Sequence, residues 1–391
     1  MIMANILILA NDSSGFYLFR KELLIELIRL GHSVRISIPD DRYAGELSDL
    51  GTDIIKTDID RRGINPVKDI KLISSYLKLL KSLRPDLVLT YTIKPNVYGA
   101  IASSIRGIPY MSTITGLGTA FERRGIVRNV AVSLYKIACR KASCVFFQNS
   151  SNMEIFNQAG IKAPKTVLVS GSGVNTDFFS PDADYANDTD HSKLNNIADK
   201  YDSGSGHEEN ADSTCSATSF VYVGRLMREK GMDEFLEAAG RMKDKYGDKV
   251  SFLAVGYDDD NYAEKITSKP GLIEHLPFTK NVRAIYAAAD ALVQPSYHEG
   301  MSNTIMEAAS MATPVLCSDI PGCRELVDDS VTGFYFKPAD SASLTAAMER
   351  FMEMDADARA KMGTAARAKM LAEFDRRNVV KSYIDEIMSL L

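Results

Sequence analysis

Short apolar runs of strand character alternate with amphipathic stretches of helical period along almost the whole chain, and this alternation limits the fold more than any other feature. The first half reads NILILA, a helix from about Leu18 to Leu30, VRISIP, DIIKTDI, a helix around Val67 to Leu83, DLVLTYT, a helix from about Asn96, PYMSTIT, a helix around Val127 to Lys141, CVFFQN and TVLVSG. The pattern restarts with FVYVGRL, a helix from Asp233, VSFLAVG, a helix near Tyr262, LIEHLPF, a helix from Val282, ALVQPS, a short helix after Gly300, and PVLCSD. Such an order argues for parallel sheets flanked by helices, not for a sandwich or a bundle. At 391 residues and 45% hydrophobic, the chain can bury two cores. The expectation is therefore α/β: a doubly wound domain over residues 1–178, a polar insertion over 179–218 rich in Asp, Asn, Ser and Gly, and a second doubly wound domain over 219–375. The amphipathic segment of about 376–391 is expected to pack back on the first domain.

Bulk properties exclude several function classes. The five cysteines form no CxxC pair and mostly sit in apolar runs, which suits a reducing cytoplasm. The N-terminal MIMANILILAND has no basic segment, and its apolar run is far below the roughly 18 residues of a spanning helix; it reads as a first buried strand. Residues 1–175 carry a net charge of +9 and the remainder −14, so the halves face different partners. No basic stretch is interleaved with aromatics as single-strand binders require, so nucleic acid is not expected.

In doubly wound sheets ligands bind beyond the carboxyl ends of the strands, which selects a few loops. NDSSGFYLFR follows the first strand; Gly15 lets the backbone approach a ligand ahead of a helix N-terminus, although a tight turn accounts for it as well. GRLMREKG places Arg225 and Lys230 where a diphosphate would suit them, the planar fork of one and the point charge of the other. In SYHEGMSNTIMEAAS, Gly300 permits a sharp turn and Ser302 or Asn303 begins a helix whose first N–H groups attract phosphate. Glu307, more than a turn into that helix, is placed for a ribose diol, and Glu299, before the turn, for sugar hydroxyls. Surface ion pairing or helix-end electrostatics are the plainer alternatives for the two glutamates. His298 and Glu299 lack the second histidine of a zinc HExxH helix, since position 302 is Ser302. Asp258, Asp259 and Asp260 sit in a polar loop with no evident partner, so no metal site follows from them.

GRLMREKG followed by SYHEGMSNTIMEAASMATPVLCSDIPGCRELVDDSVTGFYF resembles retaining glycosyltransferase family 4, with its GT-B fold of two Rossmann-like domains facing across a cleft. The resemblance extends over nearly the whole chain. Glu299 and Glu307 match the E-x7-E element of the family, and Arg225 and Lys230 its diphosphate-binding pair. YTIKPNVYGAIAS and TITGLGTAF are similar to bacterial members that build capsule, exopolysaccharide or lipid-linked oligosaccharide. The resemblance implies transfer of a hexose or N-acetylhexosamine from a nucleotide sugar, UDP-activated in many members, to a glycan or polyprenyl-diphosphate-linked acceptor. It also implies retention of configuration, no metal and no cofactor. Catalytic roles fall on Arg225, Lys230 and Glu299, and donor binding on Gly15, Gly224, Arg225, Lys230, Glu299, Gly300, Met301, Ser302, Asn303 and Glu307. Acceptor binding falls on Lys94, Thr115 and Gly116. Some relatives carry a histidine in the loop corresponding to Thr115 to Thr119; here there is none, and no catalytic histidine is assigned. A non-hydrolysing UDP-amino-sugar epimerase and a noncatalytic nucleotide-sugar-binding subunit remain as alternatives on the same architecture.

One further segment concerns location. FERRGIVRNVAVSLYKIACRKAS carries Arg123, Arg124, Arg128, Lys136, Arg140 and Lys141 among apolar residues, a pattern that fits either an anionic membrane surface or an ordinary sheet-packing helix. A cytoplasmic protein, peripheral on the inner face of the plasma membrane, is the corresponding expectation.

Overall fold

The computed structural model describes residues 3–60, 65–117, 121, 125–183 and 217–391. The chain divides into two units, residues 1–173 with 376–391, and residues 174–375. Arg123, Arg124, Thr119 and most of the 179–218 insertion lie outside the described residues.

The first unit runs β1 (Asn5–Leu9), α1 (Ser13–Arg29), β2 (Ser33–Ile38), α2 (Ala44–Asp49), β3 (Asp53–Lys56), α3 (Pro66–Leu83), β4 (Leu87–Tyr91), a π-helical turn (Pro95–Gly99), α4 (Ala100–Arg106), β5 (Tyr110–Ile114), α5 (Ile126–Cys139), β6 (Cys144–Phe147), α6 (Ser150–Gln158) and β7 (Thr166–Leu168). Its strands form a parallel seven-stranded sheet in the order β3-β2-β1-β4-β5-β6-β7. Successive residues of one strand feed opposite cores, as a pleat of period two demands. Leu7, Leu9, Val88, Val145 and Phe147 meet Leu72, Tyr76 and Leu80 of α3 and Ala138 of α5 on one face. Ile6, Ile8, Leu87, Leu89, Cys144 and Phe146 meet Phe16, Leu23, Leu24 and Leu27 of α1 on the other. β4, β5 and β6 are buried along their full length, which is why they read as unbroken apolar runs.

The second unit runs β8 (Thr218–Val223), α7 (Met232–Tyr246), β9 (Val250–Val255), α8 (Tyr262–Thr267), β10 (Glu274–Leu276), α9 (Val282–Ala288), β11 (Ala291–Gln294), α10 (Asn303–Ser310), β12 (Val315–Ser318), β13 (Gly333–Phe336), α11 (Ser341–Met352) and α12 (Ala356–Glu373). The parallel six-stranded order is β10-β9-β8-β11-β12-β13. Val221, Leu292, Val315 and Cys317 pack on Ile305, Met306 and Ala309 of α10, while Phe220, Tyr222, Phe252 and Val293 pack on Phe235 and Met242 of α7.

The last helix, α13 (Arg376–Leu390), belongs to the first unit. Val379, Tyr383 and Ile387, spaced at four residues, enter the core beside α1. Tyr383 stacks on Phe146 with ring centroids 4.1 Å apart, and its hydroxyl meets Thr113 Oγ1 at 2.9 Å. Arg376 anchors the helix start, donating to Glu22 at 2.9 Å and to the Gly173 carbonyl at 3.0 Å.

The elements differ from the sequence expectation in ways that have local causes. α1 begins at Ser13, not near Leu18, because Asp12 caps it by accepting from the Gly15 N–H at 2.9 Å. The segment from Asn96 opens as a π turn, and Thr92 just before it holds φ = 71°, an uncommon conformation for a β-branched residue. Two short helices, α2 and α6, and the strand β13 were not foreseen: each is too brief to show a clear period.

Candidate active site

Apart from Gly15, which lies in α1 of the first unit, the donor-side residues lie in the second unit, on the loops beyond the carboxyl ends of β8 and β11 and on α10. Gly224 follows β8, and its loop is laced to that of β9 by Leu226 N–H to the Tyr257 carbonyl at 2.7 Å and Asp259 N–H to the Leu226 carbonyl at 3.1 Å. A tight turn, Arg228–Lys230, then leads through Gly231 at φ = 75° into α7. A side chain there would place its Cβ 2.0 Å from the Pro295 carbonyl oxygen, so only glycine lets the Lys230 loop approach the end of β11.

That approach brings together two residues 69 positions apart. Lys230 Nζ meets Glu299 Oε1 at 2.6 Å, with the two side chains 23% and 12% exposed. The same carboxylate oxygen accepts from Ser296 Oγ at 2.8 Å and Gln294 Nε2 at 3.1 Å. The loop carrying Glu299 is tied to that of Lys230 by Tyr297 N–H to the Glu229 carbonyl at 3.0 Å, and Tyr297 Oη donates to Glu234 at 2.7 Å. Gly322 closes over the turn; a Cβ there would lie 2.7 Å from the Glu299 carbonyl oxygen.

Ser302 caps α10, its Oγ accepting from Ile305 N–H at 3.3 Å, and Asn303 is the first residue of the helix. Gly300 lies half-buried in the turn, and Met301 packs against the core. Glu307 faces the buried phenol of Tyr286, which donates to its Oε2 at 3.1 Å. Burial and the adjacent Glu307 charge push the Tyr286 hydroxyl well above its ordinary range, so it stays a neutral donor.

Two expectations need correction, the partnerless acidic loop and the free N–H at Gly15. Arg225 pairs with Asp259, its Nη1 lying 3.0 Å from the carboxylate; Asp258 and Asp260 also have partners, accepting backbone N–H groups of Tyr262, Ala263 and Arg228. The reading of that acidic loop as partnerless therefore fails, since Asp258 and Asp260 act as turn caps and Asp259 as a counter-ion. Gly15 does not present a free N–H to an anion, because the Asp12 carboxylate already occupies it. Lys94 pairs with Asp69 at 2.7 Å, and Asp69 also accepts from Tyr98 Oη at 2.8 Å. Thr115 and Gly116 lie half-buried after β5 in the same unit.

Sequence reading passed over a pair of exposed aromatics. Tyr257, after β9, and Phe278, after β10, stack with centroids 4.6 Å apart and an interplanar angle of 6°, at 51% and 37% exposure. The signal available was an aromatic two residues beyond the end of each of two neighbouring strands.

Comparison with known proteins gives the enzyme class. The profile described as "Glycosyl transferases group 1" matches residues 216–369, and that described as "Glycosyl transferase 4-like" matches residues 5–149. The chain is a glycosyltransferase built from these two kinds of domain. As a glycosyltransferase it is similar to the N,N'-diacetylbacillosaminyl-diphospho-undecaprenol alpha-1,3-N-acetylgalactosaminyltransferase of Campylobacter jejuni, 26% identical over 384 residues and 96% of each chain. It is 27% identical over 297 residues, covering 74% of this chain and 72% of the other, to the UDP-Gal:alpha-D-GlcNAc-diphosphoundecaprenol alpha-1,3-galactosyltransferase of Escherichia coli. Among solved structures, Anabaena HepE in complex with UDP-glucose aligns at a TM-score of 0.77 and 20% identity over 99% of this chain and 100% of the other. A Rickettsia africae glycosyltransferase aligns at 0.76 and 19% over 100% and 99%. These likenesses establish the GT-B fold of two Rossmann-like units.

Proposed function

We propose that this glycosyltransferase moves a hexose or N-acetylhexosamine from a UDP-sugar to a hydroxyl of a polyprenyl-diphosphate-linked glycan, with retention and without a metal, in the building of cell-surface polysaccharide. What supports this reading most directly is the Lys230–Glu299 pair, 2.6 Å apart beside the start of α10. It sets a cation, a carboxylate and a helix N-terminus in one place, as a glycosyl diphosphate requires. Glu307, oriented by Tyr286, suits the ribose diol. The exposed Tyr257–Phe278 stack suits the flat face of a base, and Arg225 can exchange Asp259, a half-exposed partner, for a phosphoryl group at little cost. As the glycosyl bond to phosphate breaks, charge grows on the leaving diphosphate, where Arg225, Lys230 and the α10 N-terminus stabilise it. The departing phosphate oxygen takes the acceptor proton, so a same-face reaction needs no protein nucleophile. The relatives that act on diphospho-undecaprenol substrates favour the lipid-linked acceptor.

The test is a thermal-shift screen of UDP-, GDP- and ADP-sugars followed by transfer assays. UDP-sugars are expected to raise the unfolding midpoint, and product should form only when acceptor is added. Epimerised sugar from donor alone, or UDP binding with no transfer to any lipid-diphosphate glycan, would overturn the reading.

We also infer a cytoplasmic, peripheral location. No helix among the described residues is long and apolar enough to cross a membrane. On α5, however, Ile126, Val130 and Ile137 stand 82%, 52% and 57% exposed, near Arg128, Arg140 and Lys141. An apolar stripe flanked by cations suits anionic lipid. Replacing Ile126, Val130 and Ile137 together by glutamate is expected to abolish co-sedimentation with anionic liposomes while leaving UDP binding unchanged. Undiminished sedimentation would remove α5 from the account.

A further inference from the structure

Two guanidinium groups are more than nine-tenths buried in the first unit, and their surroundings differ sharply. Arg376, 5% exposed, has Glu22 and the carbonyl oxygens of Gly173 and Leu18. Arg20, 6% exposed on the inner face of α1 one turn beyond Phe16, has neither an ion pair nor a hydrogen bond among the described residues. Its neighbours are aromatic rings: the guanidinium carbon lies 5.5 Å from the centroid of Tyr91 and 5.9 Å from that of Tyr383. Ring faces offset part of the loss of water around a cation, yet they satisfy none of its five N–H donors. Beside it, Tyr91 is 3% exposed, and its hydroxyl is also without a partner among the described residues.

Placement gives this pair a use. β1 and β4 are neighbours in the sheet, but the chain leaves β1 towards β2 on one side and β4 towards β5 on the other. That is the switch point where open α/β sheets bind ligands. Arg20 comes from the helix that follows β1, and Tyr91 is the last residue of β4. Lys94, the cation that follows β4 in sequence, is already matched by Asp69 at 2.7 Å. The unmatched positive charge at this switch point is therefore Arg20.

We propose that Arg20 and the Tyr91 hydroxyl form a receptor for a phosphoryl group, and that the group is the diphosphate of the acceptor. A guanidinium offers paired N–H donors to two phosphoryl oxygens, and the phenol adds one more. This assignment rests on the lipid-diphosphate acceptor proposed above.

The test uses methylene diphosphonate as probe, titrated calorimetrically into protein already saturated with UDP so that Arg225 and Lys230 are occupied. Wild type is expected to bind it at one site. Arg20→Met is expected to weaken that binding by on the order of tenfold or more, Tyr91→Phe by a few-fold, and neither to change UDP affinity. Because the Tyr91 hydroxyl makes no close hydrogen bond among the described residues, although Thr113 is near it, Tyr91→Phe keeps the test decisive if Arg20→Met does not fold. Equal diphosphonate affinity in wild type and Tyr91→Phe, or no binding beside UDP, would overturn the receptor. A second arm separates sources: KM for a lipid-diphosphate glycan should rise in Arg20→Met by about the same factor. An unchanged KM alongside lost diphosphonate binding would make this a free-phosphate site and overturn the acceptor assignment. A protein that never binds UDP would overturn the proposed function, and this inference with it.

Discussion

Replacing Lys230 by alanine is expected to lower single-turnover transfer by about two to three orders of magnitude. The ammonium is the cation held at the start of α10, and no other Lys or Arg is within 4.0 Å of Glu299 among the described residues. Its loss removes charge stabilisation that is greatest as the diphosphate departs, so the effect should fall on turnover more than on ground-state binding. The same substitution leaves the Glu299 carboxylate, 12% exposed, with only Ser296 and Gln294 as side-chain donors among the described residues. Stability should therefore fall by about 1–3 kcal/mol as well. A second change, Glu299→Gln in the Lys230→Ala background, separates the two effects: denaturant unfolding should recover most of the lost stability, while transfer stays low. Transfer within a few-fold of wild type in Lys230→Ala would remove this residue from the catalytic account.

Glu307→Ala and Glu299→Ala are expected to part ways in a titration with free UDP. Glu307 holds the ribose in the proposed reading, and a charged hydrogen bond of about 1.5–3 kcal/mol corresponds to a loss of roughly ten- to a hundred-fold in UDP affinity. Tyr286, fully buried beneath it, loses its acceptor in the same variant, so Tyr286→Phe alone should give a smaller loss in the same direction. Glu299→Ala has a different expected outcome. Because this carboxylate holds Lys230 at 2.6 Å, its removal frees the ammonium for UDP. Affinity for UDP should be unchanged or slightly higher, and the loss should appear in turnover of UDP-sugar. Calorimetry on the variants checks this: equal weakening by both glutamate substitutions, or weakening by Glu299→Ala alone, would contradict the division of roles.

The chain's local chemistry carried most of the fold class. Unbroken apolar runs such as DLVLTYT and CVFFQN reflect strands covered on both faces, and the helical stretches between them reflect crossover connections, so two parallel-sheet units follow from period and length. Capping was legible too, though underused: Asp12 ahead of SSGF marks where α1 starts, and the apolar period alone placed that start several residues late. Short elements such as β13 and α2 had too few residues to display a period.

The residues of the donor site were legible as chemical types at characteristic spacing, because a glycine-assisted turn into a helix and two carboxylates eight residues apart are properties of one continuous stretch. Their pairings were not. Lys230 meets Glu299, and Arg225 meets Asp259, only because the parallel order β9-β8-β11 brings three strand ends side by side, and because Gly231 admits the Pro295 carbonyl. Nor could sequence show that Arg20, one arginine among the basic residues of the first half, lies buried against Tyr91 and Tyr383 while Arg376 finds Glu22 and two backbone carbonyls as acceptors. Periodicity reports which face of an element is apolar. Which charge is compensated depends on contacts between segments tens to hundreds of residues apart, and only the tertiary structure decides those.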